Sequence, residues 1–327
     1  MKLWARMLLT TLLLGAIWFS FRPNLEEPQS HVAHGVTLEG KEIGGYDLRE
    51  LQAYLQAVAV RIDRAALPPQ LDPRTGGVIP GLAGTEVDIS ATITACLRAK
   101  PRQAVALAMR WVMPELPLRD KPIFQGNGAK RQVAFVVNVA WGNSELLEIL
   151  DLFSEHNLTK TFFLVGRWAD KFPELVREIS HRGHEFGNHA YSDAHLPKLS
   201  DEAIREEIRR TTAAIARAVG DVPVRFFSPP YNDFDARVVR IAAELGYTTV
   251  LSSVDTADWM RPGVDRIVRR VLSKVHNGAI VLMHPTEQTP GALVDLIPSL
   301  TRQGFALVPV SVMLCALPTE ERLEGLP

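Results

Sequence analysis

The chain has 327 residues, of which 46% are hydrophobic and 22% charged. It is therefore long enough for two domains with a sizeable core. Its formal net charge is −1, and it lacks the excess of basic residues and the zinc-finger or basic-helix signatures of nucleic-acid-binding proteins. This composition predicts a globular protein without a nucleic-acid partner.

Residues 1–22 have the pattern of a membrane-targeting segment. Lys2 and Arg6 precede an apolar run of roughly fifteen residues, the length of a signal h-region. No small-residue cleavage site follows, because Trp18 and Phe19 are bulky. We predict a signal anchor that keeps the protein extracytoplasmic and membrane-anchored. A cleaved signal peptide, giving a secreted protein, is the alternative.

Residues 23–34 are polar and contain two prolines, which predicts a linker. The next region, 35–117, alternates short strand and helix patterns and is predicted to be a small α+β domain. Its predicted strands lie in 36–45, 71–79, 86–89 and 104–111, and its predicted helices are 48–58 and 89–99. Three prolines and a Gly-Asn-Gly sequence lie within 114–131, so we place a second linker at 118–131.

From residue 132 onward, apolar runs alternate with amphipathic helices, the pattern of β-α units on a parallel sheet or barrel. The predicted strands are 133–139, 161–166, 224–227, 247–251, 279–283 and 305–309, and the predicted helices are 145–156, 168–181, 201–218, 234–245, 264–276 and 291–303. This domain is predicted to span 132–314, with a tail at 315–327.

A stretch rich in histidine and acids, His184–His195, follows one of these helices. Within it, His189, Asp193 and His195 have metal-ligand chemistry at close spacing. They predict a divalent metal site. In the alternative interpretation, His189 only forms hydrogen bonds inside a pocket and His195 is a surface residue.

Three motifs carry a family resemblance. The sequences GNHAYS (187–192), VDTADW (254–259) and IVLMHP (280–285) resemble the second, fourth and fifth motifs of the polysaccharide deacetylases, the NodB-homology or carbohydrate esterase 4 family. The resemblance covers residues 132–314. It implies an α/β fold, a distorted (β/α)7 barrel, with the active site at the carboxyl ends of the strands.

The N-terminal region has a second resemblance. The sequences GVTLEG (35–40), GGVIPG (76–81) and EVD (86–88) are similar to a small α+β domain described as peptidoglycan-binding, often found beside VanW-type modules. This resemblance implies peptidoglycan as a partner. A spacer domain without a ligand is the alternative.

The deacetylase resemblance implies roles for individual residues. Members of this family hydrolyse an N-acetyl amide with a bound divalent metal, here Zn or Mn, a carboxylate base and a histidine acid. By resemblance, His284 is the acid and Asp255 and Asp258 tune it. Trp259 and Leu282 then line the acetyl pocket, and Tyr231 directs a backbone N–H toward the oxyanion.

The first and third motifs depart from the family pattern. Asn138 stands at the base position, Val139 and Asp193 at positions of metal ligands, and Ser228 at the arginine that orients the base. An amide cannot accept a proton near neutral pH, and an isopropyl group cannot bind a cation. The sequence NVAWGN (138–143) resembles the sporulation-associated branch of the family, and we assign its Trp141 to substrate binding.

Two functions therefore remain open. In the first, the chain is a cell-wall-associated deacetylase-like protein for peptidoglycan or a related N-acetylglucosamine glycan, with a degenerate site. His189, Asp193 and His195 would then hold the metal, and an aspartate of the fourth motif would act as base. In the second, the chain is a non-catalytic glycan-binding protein that uses the same cleft. A metal hydrolase with another substrate is a third interpretation.

Overall fold

The computed structural model describes residues 30–114 and 119–317. The predicted signal anchor, residues 23–29 of the first linker, and residues 318–327 of the predicted tail lie outside the described residues. Among the helices that are described, none combines the length and the apolar character needed to cross a membrane.

The described elements follow in chain order. The strands are β1 Thr37–Leu38, β2 Lys41–Glu42, β3 Gln70–Leu71, β4 Val78–Ile79, β5 Gly84–Val87, β6 Ala104–Val105, β7 Met109–Val112, β8 Gln132–Val139, β9 Thr161–Leu164, β10 Glu185–Asn188, β11 Phe226–Phe227, β12 Thr248–Thr249, β13 Val254–Asp255, β14 Ala279–Met283 and β15 Ala306–Leu307. The α-helices are α1 Leu48–Ile62, α2 Ile89–Arg98, α3 Asn143–Glu155, α4 Gly166–Lys171, α5 Pro173–His181, α6 Asp201–Val219, α7 Ala236–Glu244, α8 Val264–Leu272, α9 Thr289–Arg302 and α10 Val310–Leu314.

The chain divides into two compact units. The first contains the described residues up to Arg64 together with Thr85–Trp111, and the second contains Ala65–Gly84 and the described residues from Val112 onward. The first unit is α+β, with β1 between β2 and β6 and a core shared by α1, α2 and the strands. Asp47 begins α1 with a capping box, in which Asp47 and Glu50 each accept a backbone N–H of the other.

The second unit is built on a curled parallel sheet. Its strand order is β12-β11-β10-β9-β8-β14-β13, and β15 pairs with the first residues of β8. Because successive side chains of a strand point to opposite faces, Val137 and Val139 of β8 pack in the layer toward the helices. Ala134 and Val136 pack on the inner face. This α/β arrangement is of the (β/α)-barrel type, as the sequence predicts.

Two segments differ from the elements predicted for them. The predicted helix 168–181 is two helices, α4 and α5, because Pro173 lacks a backbone N–H and Phe172 leaves the helical conformation before it. The described part of the predicted linker 118–131, residues 119–131, is bonded into the second unit. Ile123 donates its N–H to Thr249 and accepts one from Leu251, both at 2.9 Å or less.

A short antiparallel pair, β3 and β4, also belongs to the second unit although it lies within the predicted α+β domain. Val78 of β4 is buried in the inner core beside Ile123 and Met313. Its N–H donates to Pro122 O at 2.8 Å, and Pro80 O accepts from Asn127. This hairpin therefore supplies part of the inner core of the barrel unit.

Lys160, immediately before β9, is fully buried. Its ammonium donates to Leu307 O at 2.7 Å and to Thr159 O at 3.0 Å, which joins the start of β9 to β15. Burial disfavours the charged form and lowers the pKa of Lys160 to about 7. The neighbouring His184 ring accepts from Lys160 N, and burial lowers its pKa to about 4.

The buried ammonium predicts a dependence of stability on pH. The unfolded chain keeps the Lys160 proton up to a pKa near 10.5 and the folded chain releases it near 7, so the free energy of unfolding rises with pH between these values. We expect Lys160→Met to remove that rise, which has a slope of about 1.4 kcal/mol per pH unit for one proton. Urea unfolding across this pH range measures it. The exposed Lys274→Met is the control, and an unchanged slope in Lys160→Met would contradict the assignment.

Candidate functional site

A cleft of about 420 Å³ lies where the strands of the curled sheet end. Parallel strands bring their carboxyl ends, and the loops that follow them, to one edge. The cleft is lined by Asn138, Ala140, Trp141, His189, Asp193, Tyr231, Asn232, Asp255, Trp259, Leu282 and His284. Among the residues assigned from sequence, Asp258 and His195 do not line it. Ala140 and Asn232 line it without having been predicted.

At the end of β8, the residues at the family's base position and metal-ligand position lie on opposite faces of the sheet. Asn138 lines the cleft, is 6% exposed, and its Oδ1 has no hydrogen-bond partner among the described residues. Val139 is fully buried in the layer between the sheet and the helices. The alternation of the strand thus leaves an amide, without a carboxylate, at the cleft end of β8.

His189 follows β10 and is held by the backbone of the third motif. Its Nδ1 lies 2.6 Å from Ser228 O. A carbonyl oxygen can only accept, so Nδ1 carries the proton and a neutral ring keeps a lone pair on Nε2. Burial is the main cause that lowers the pKa of His189 to about 4, with a smaller contribution from His284.

Asp193 and His195 are engaged with other residues. Asp193 Oδ2 accepts from Tyr231 OH at 3.1 Å and lies 3.8 Å from Arg167 Nη2. His195 Nδ1 lies 2.7 Å from Asp233 Oδ2, and its ring stacks on Tyr231 with centroids 4.5 Å apart. His195 therefore packs against the loop after β11 and does not line the cleft.

These contacts differ from the predicted metal site, in which His189, Asp193 and His195 would converge on one ion. Within residues 30–114 and 119–317, no three His, Cys, Asp or Glu side chains are grouped so that they could hold a metal ion. Zn²⁺ or Mn²⁺ on protein ligands needs about three converging donors, and His195 is turned to Asp233 instead of joining His189 and Asp193. The donor set in this structure does not fit the metal that the motifs imply.

The fourth and fifth motifs are joined through one buried carboxylate. Asp258 is fully buried; its Oδ2 accepts from His284 N at 2.7 Å and from Thr289 Oγ1 at 2.9 Å. Its Oδ1 lies 2.9 Å from His284 Nδ1. The pair fixes the imidazole so that Nε2 remains for a ligand in the cleft. Asp258 thus acts behind His284 and does not contact the cleft.

Trp141 covers the other side of that imidazole. The two rings are stacked, with centroids 5.6 Å apart and planes within 7°. The next residue, Gly142, has φ +77°, and a Cβ there would collide with the carbonyl oxygen of Pro285. Only glycine allows this close approach. The Trp-Gly pair therefore has a physical reason: it packs the loop after β8 onto the loop after β14.

Sequence reasoning missed the residue that holds the loop after β10. Glu207 of α6 accepts from the backbone N–H groups of Tyr191 and Ser192 at 2.8 Å each and from Ser192 Oγ at 2.7 Å. The available signal was its position on the helix, three residues after the buried Ile204 and four before the buried Thr211. A carboxylate on the inward stripe of a helix needs such donors.

Backbone strain is concentrated at the same edge. Six non-glycine residues with positive φ lie in the loops that follow the strands at this edge: Ala190, Asp193, Tyr231, Asn232, Ala257 and Arg261. Such conformations are sparsely populated and persist where the surrounding structure imposes them. The loops are therefore held in defined positions by their neighbours.

The fold and these motifs allow the chain to be assigned to a protein family. A model of the polysaccharide deacetylase family matches residues 125–250, and the relatives described next are more than 30% identical over most of their length. The chain belongs to the polysaccharide deacetylase family, the carbohydrate esterase 4 enzymes and their non-enzymatic members. The family assigned from the motifs is confirmed.

Three similar proteins illustrate the relationship of the chain to this family. The YlxY protein of Bacillus subtilis is 37% identical over 239 residues, 72% of this chain and 75% of that protein. A peptidoglycan-N-acetylglucosamine deacetylase of Bacillus cereus is 33% identical over 195 residues, 58% of this chain and 70% of that protein. The crystal structure of wild-type BA3943 of Bacillus anthracis, described as a CE4 family pseudoenzyme, is 33% identical with a TM-score of 0.68, covering 82% of this chain and 96% of that one. The chain is thus a deacetylase-like protein.

The contacts of Glu207 predict that it stabilises the cleft loop. Glu207→Ala leaves three donors of the loop without their acceptor, and we expect a loss of about 1–3 kcal/mol in the free energy of unfolding. Urea unfolding measures it, and faster proteolysis within 190–195 should accompany it. The neighbouring exposed Glu206→Ala is the matched control. Equal stability of the two variants would refute this role.

Proposed function

We propose that this chain is a non-catalytic glycan-binding protein that uses the deacetylase cleft to bind peptidoglycan or a related polymer of N-acetylglucosamine. The observation that carries the proposal is Asn138 at the cleft end of β8, where the family has its general base. An amide has no basic site for a proton at neutral pH, and loss of a general base typically costs about 10²–10⁴-fold in rate.

The rest of the cleft supports binding more than turnover. Amide hydrolysis needs an activated water, which a divalent metal supplies in this family, and a polarised carbonyl. His189 and Asp193 are not completed by a third ligand among the described residues, and Ser228 replaces the arginine. By contrast, Trp141, Trp259 and His284 still form walls for a sugar.

The relatives also support a non-catalytic function. A structural neighbour at 33% identity is described as a pseudoenzyme, and a mutant of it, at 32% identity and a TM-score of 0.69, is described as having restored enzymatic activity. The intact Asp258–His284 pair favours the second candidate, a deacetylase with a remodelled site. In that case Asp255 would have to act as the base, since Asp258 is buried behind His284.

We expect no acetate release from N-acetylglucosamine oligomers or peptidoglycan by the full-length chain, with Zn²⁺, Mn²⁺ or Co²⁺ added. Binding to insoluble peptidoglycan should persist in the presence of a chelator, because the cleft does not need the metal. Turnover that disappears in His189→Ala and in His284→Ala would instead establish the deacetylase.

A variant designed to gain deacetylase activity serves as the positive control for the acetate-release assay. The combined variant Asn138→Asp, Asp193→His and Ser228→Arg returns the family residue at three departures, leaves Val139 unchanged because it packs in the core, and should gain metal-dependent acetate release. The same variant without Asn138→Asp lacks the base and should be slower by about 10²–10⁴-fold. Equal rates of these two variants would show that position 138 does not supply the base.

We infer further that the protein is extracytoplasmic and membrane-anchored, with its first unit against the cell wall. Lys2, Arg6 and the apolar run support the anchor, and the likeness of residues 35–88 to a peptidoglycan-binding domain supports the cell-wall contact. Protease added to intact cells with an opened wall should degrade the described part of the chain. Full-length protein in the cytosolic fraction would contradict this localisation.

A further inference from the structure

The cleft contains a buried hydrogen-bond acceptor that no protein group satisfies. Asn138 Oδ1 is enclosed at the end of β8, in a side chain that is more than nine-tenths buried, and no donor of the described residues reaches it. A buried acceptor without a donor is costly, and such groups in native structures are normally paired. Because Asn138 lines the cleft, this oxygen is available to accept a hydrogen bond from a ligand there.

The charged groups around this acceptor are acidic. Asp255 lines the cleft, and only its Oδ1 is engaged, by Ala257 N at 2.7 Å. Arg270 Nε donates to the backbone oxygen of Asp255 at 2.7 Å, but no Lys or Arg of the described residues forms an ion pair with its carboxylate. Asp193 also lines the cleft, although Arg167 at 3.8 Å balances part of its charge. Since no Lys or Arg lines the cleft, its field favours a cation.

The uncharged walls of the cleft are aromatic, and their flat faces suit a sugar ring. Trp141 and Trp259 both line the cleft and are 47% and 55% exposed. Indole faces pack against apolar faces of a ligand and attract a nearby cation. His189, whose Nδ1 donates to Ser228 O, presents the acceptor Nε2. The cleft thus offers acceptors, negative charge and aromatic faces together.

An acetamide group uses these groups less fully than an amine does. Its carbonyl oxygen can accept from the amides of Asn138 and Asn232, but the group is neutral and brings no charge to the carboxylate of Asp255. A protonated amine at the same carbon of the sugar can donate to an acceptor such as Asn138 Oδ1 and also carries the charge that the carboxylates of the cleft favour.

We propose that the cleft binds the deacetylated sugar, a glucosamine residue with a protonated amine, in preference to its N-acetylated form. The protein would then recognise the chemical product of the reaction that its active relatives catalyse. This inference rests on the proposed function, since it names the ligand of the same cleft.

The test compares two oligomers of equal length and linkage, glucosamine tetramer and N-acetylglucosamine tetramer, by calorimetric titration of the full-length chain at low salt and mildly acidic pH. Because hydrogen bonds to charged groups are strong, we expect the glucosamine tetramer to bind at least about tenfold more tightly. Spermine, a polyamine without sugar rings, should bind more weakly than the glucosamine tetramer. Spermine binding of equal strength would overturn the preference for a sugar.

A single substitution then tests whether Asp255 causes the preference for glucosamine. Asp255→Asn keeps the Oδ1 acceptor for Ala257 N and removes only the charge, so the preference for glucosamine should fall by about tenfold while the melting temperature stays near that of the wild type. Asp295→Asn, the same change at an exposed position of α9, should keep the preference. Equal loss in both variants, or no loss in Asp255→Asn, would overturn the assignment to the cleft.

The outcomes separate this inference from the proposed function. Binding of both tetramers with equal affinity, or tighter binding of the N-acetylated one, would overturn the inference and leave a glycan-binding protein. Binding of neither tetramer, nor of peptidoglycan, would overturn both.

Discussion

The buried carboxylate of Asp258 is the interaction on which the geometry of the cleft depends. Removing a carboxylate from water is costly unless its lone pairs are satisfied, and here His284 N, His284 Nδ1 and Thr289 Oγ1 satisfy them. These bonds connect the loop after β13, the end of β14 and the start of α9. Trp141 then stacks on the imidazole that Asp258 orients, so the loop after β8 is positioned through the same group.

The altered chemistry of the site and the preserved shape of the cleft are compatible because they depend on different atoms. Hydrolysis requires a base and a metal, which are side-chain properties at positions 138, 139 and 193. The shape of the cleft instead comes from backbone hydrogen bonds, from Glu207 below the loop after β10, and from strained residues such as Tyr231 that their neighbours hold in place. Substitution at the chemical positions therefore leaves a formed cavity that a ligand can still occupy.

The sequence predicted the barrel and most of the cleft, since strand alternation and motif order decide which side chains meet at one edge. The direction of His195 was not predictable, because a loop permits several rotations and Asp233 lies 38 residues away. Glu207 was overlooked because a charged helical residue is ordinarily solvated. The break at Pro173 was readable from sequence, whereas the two-residue strands β3 and β4 have too little pattern to show which unit they join.

The hairpin of β3 and β4 has a consequence for how this protein can be divided and recombined. The chain crosses between its two units at residues 64–65, 84–85 and 111–112, so neither unit is a single continuous segment. A single crossover that exchanged everything before the barrel would also remove Val78, which is buried in the barrel's inner core. Separating the N-terminal unit from the barrel therefore requires cuts at these crossings, so that the hairpin keeps its contacts at Pro122 and Asn127 within the barrel unit.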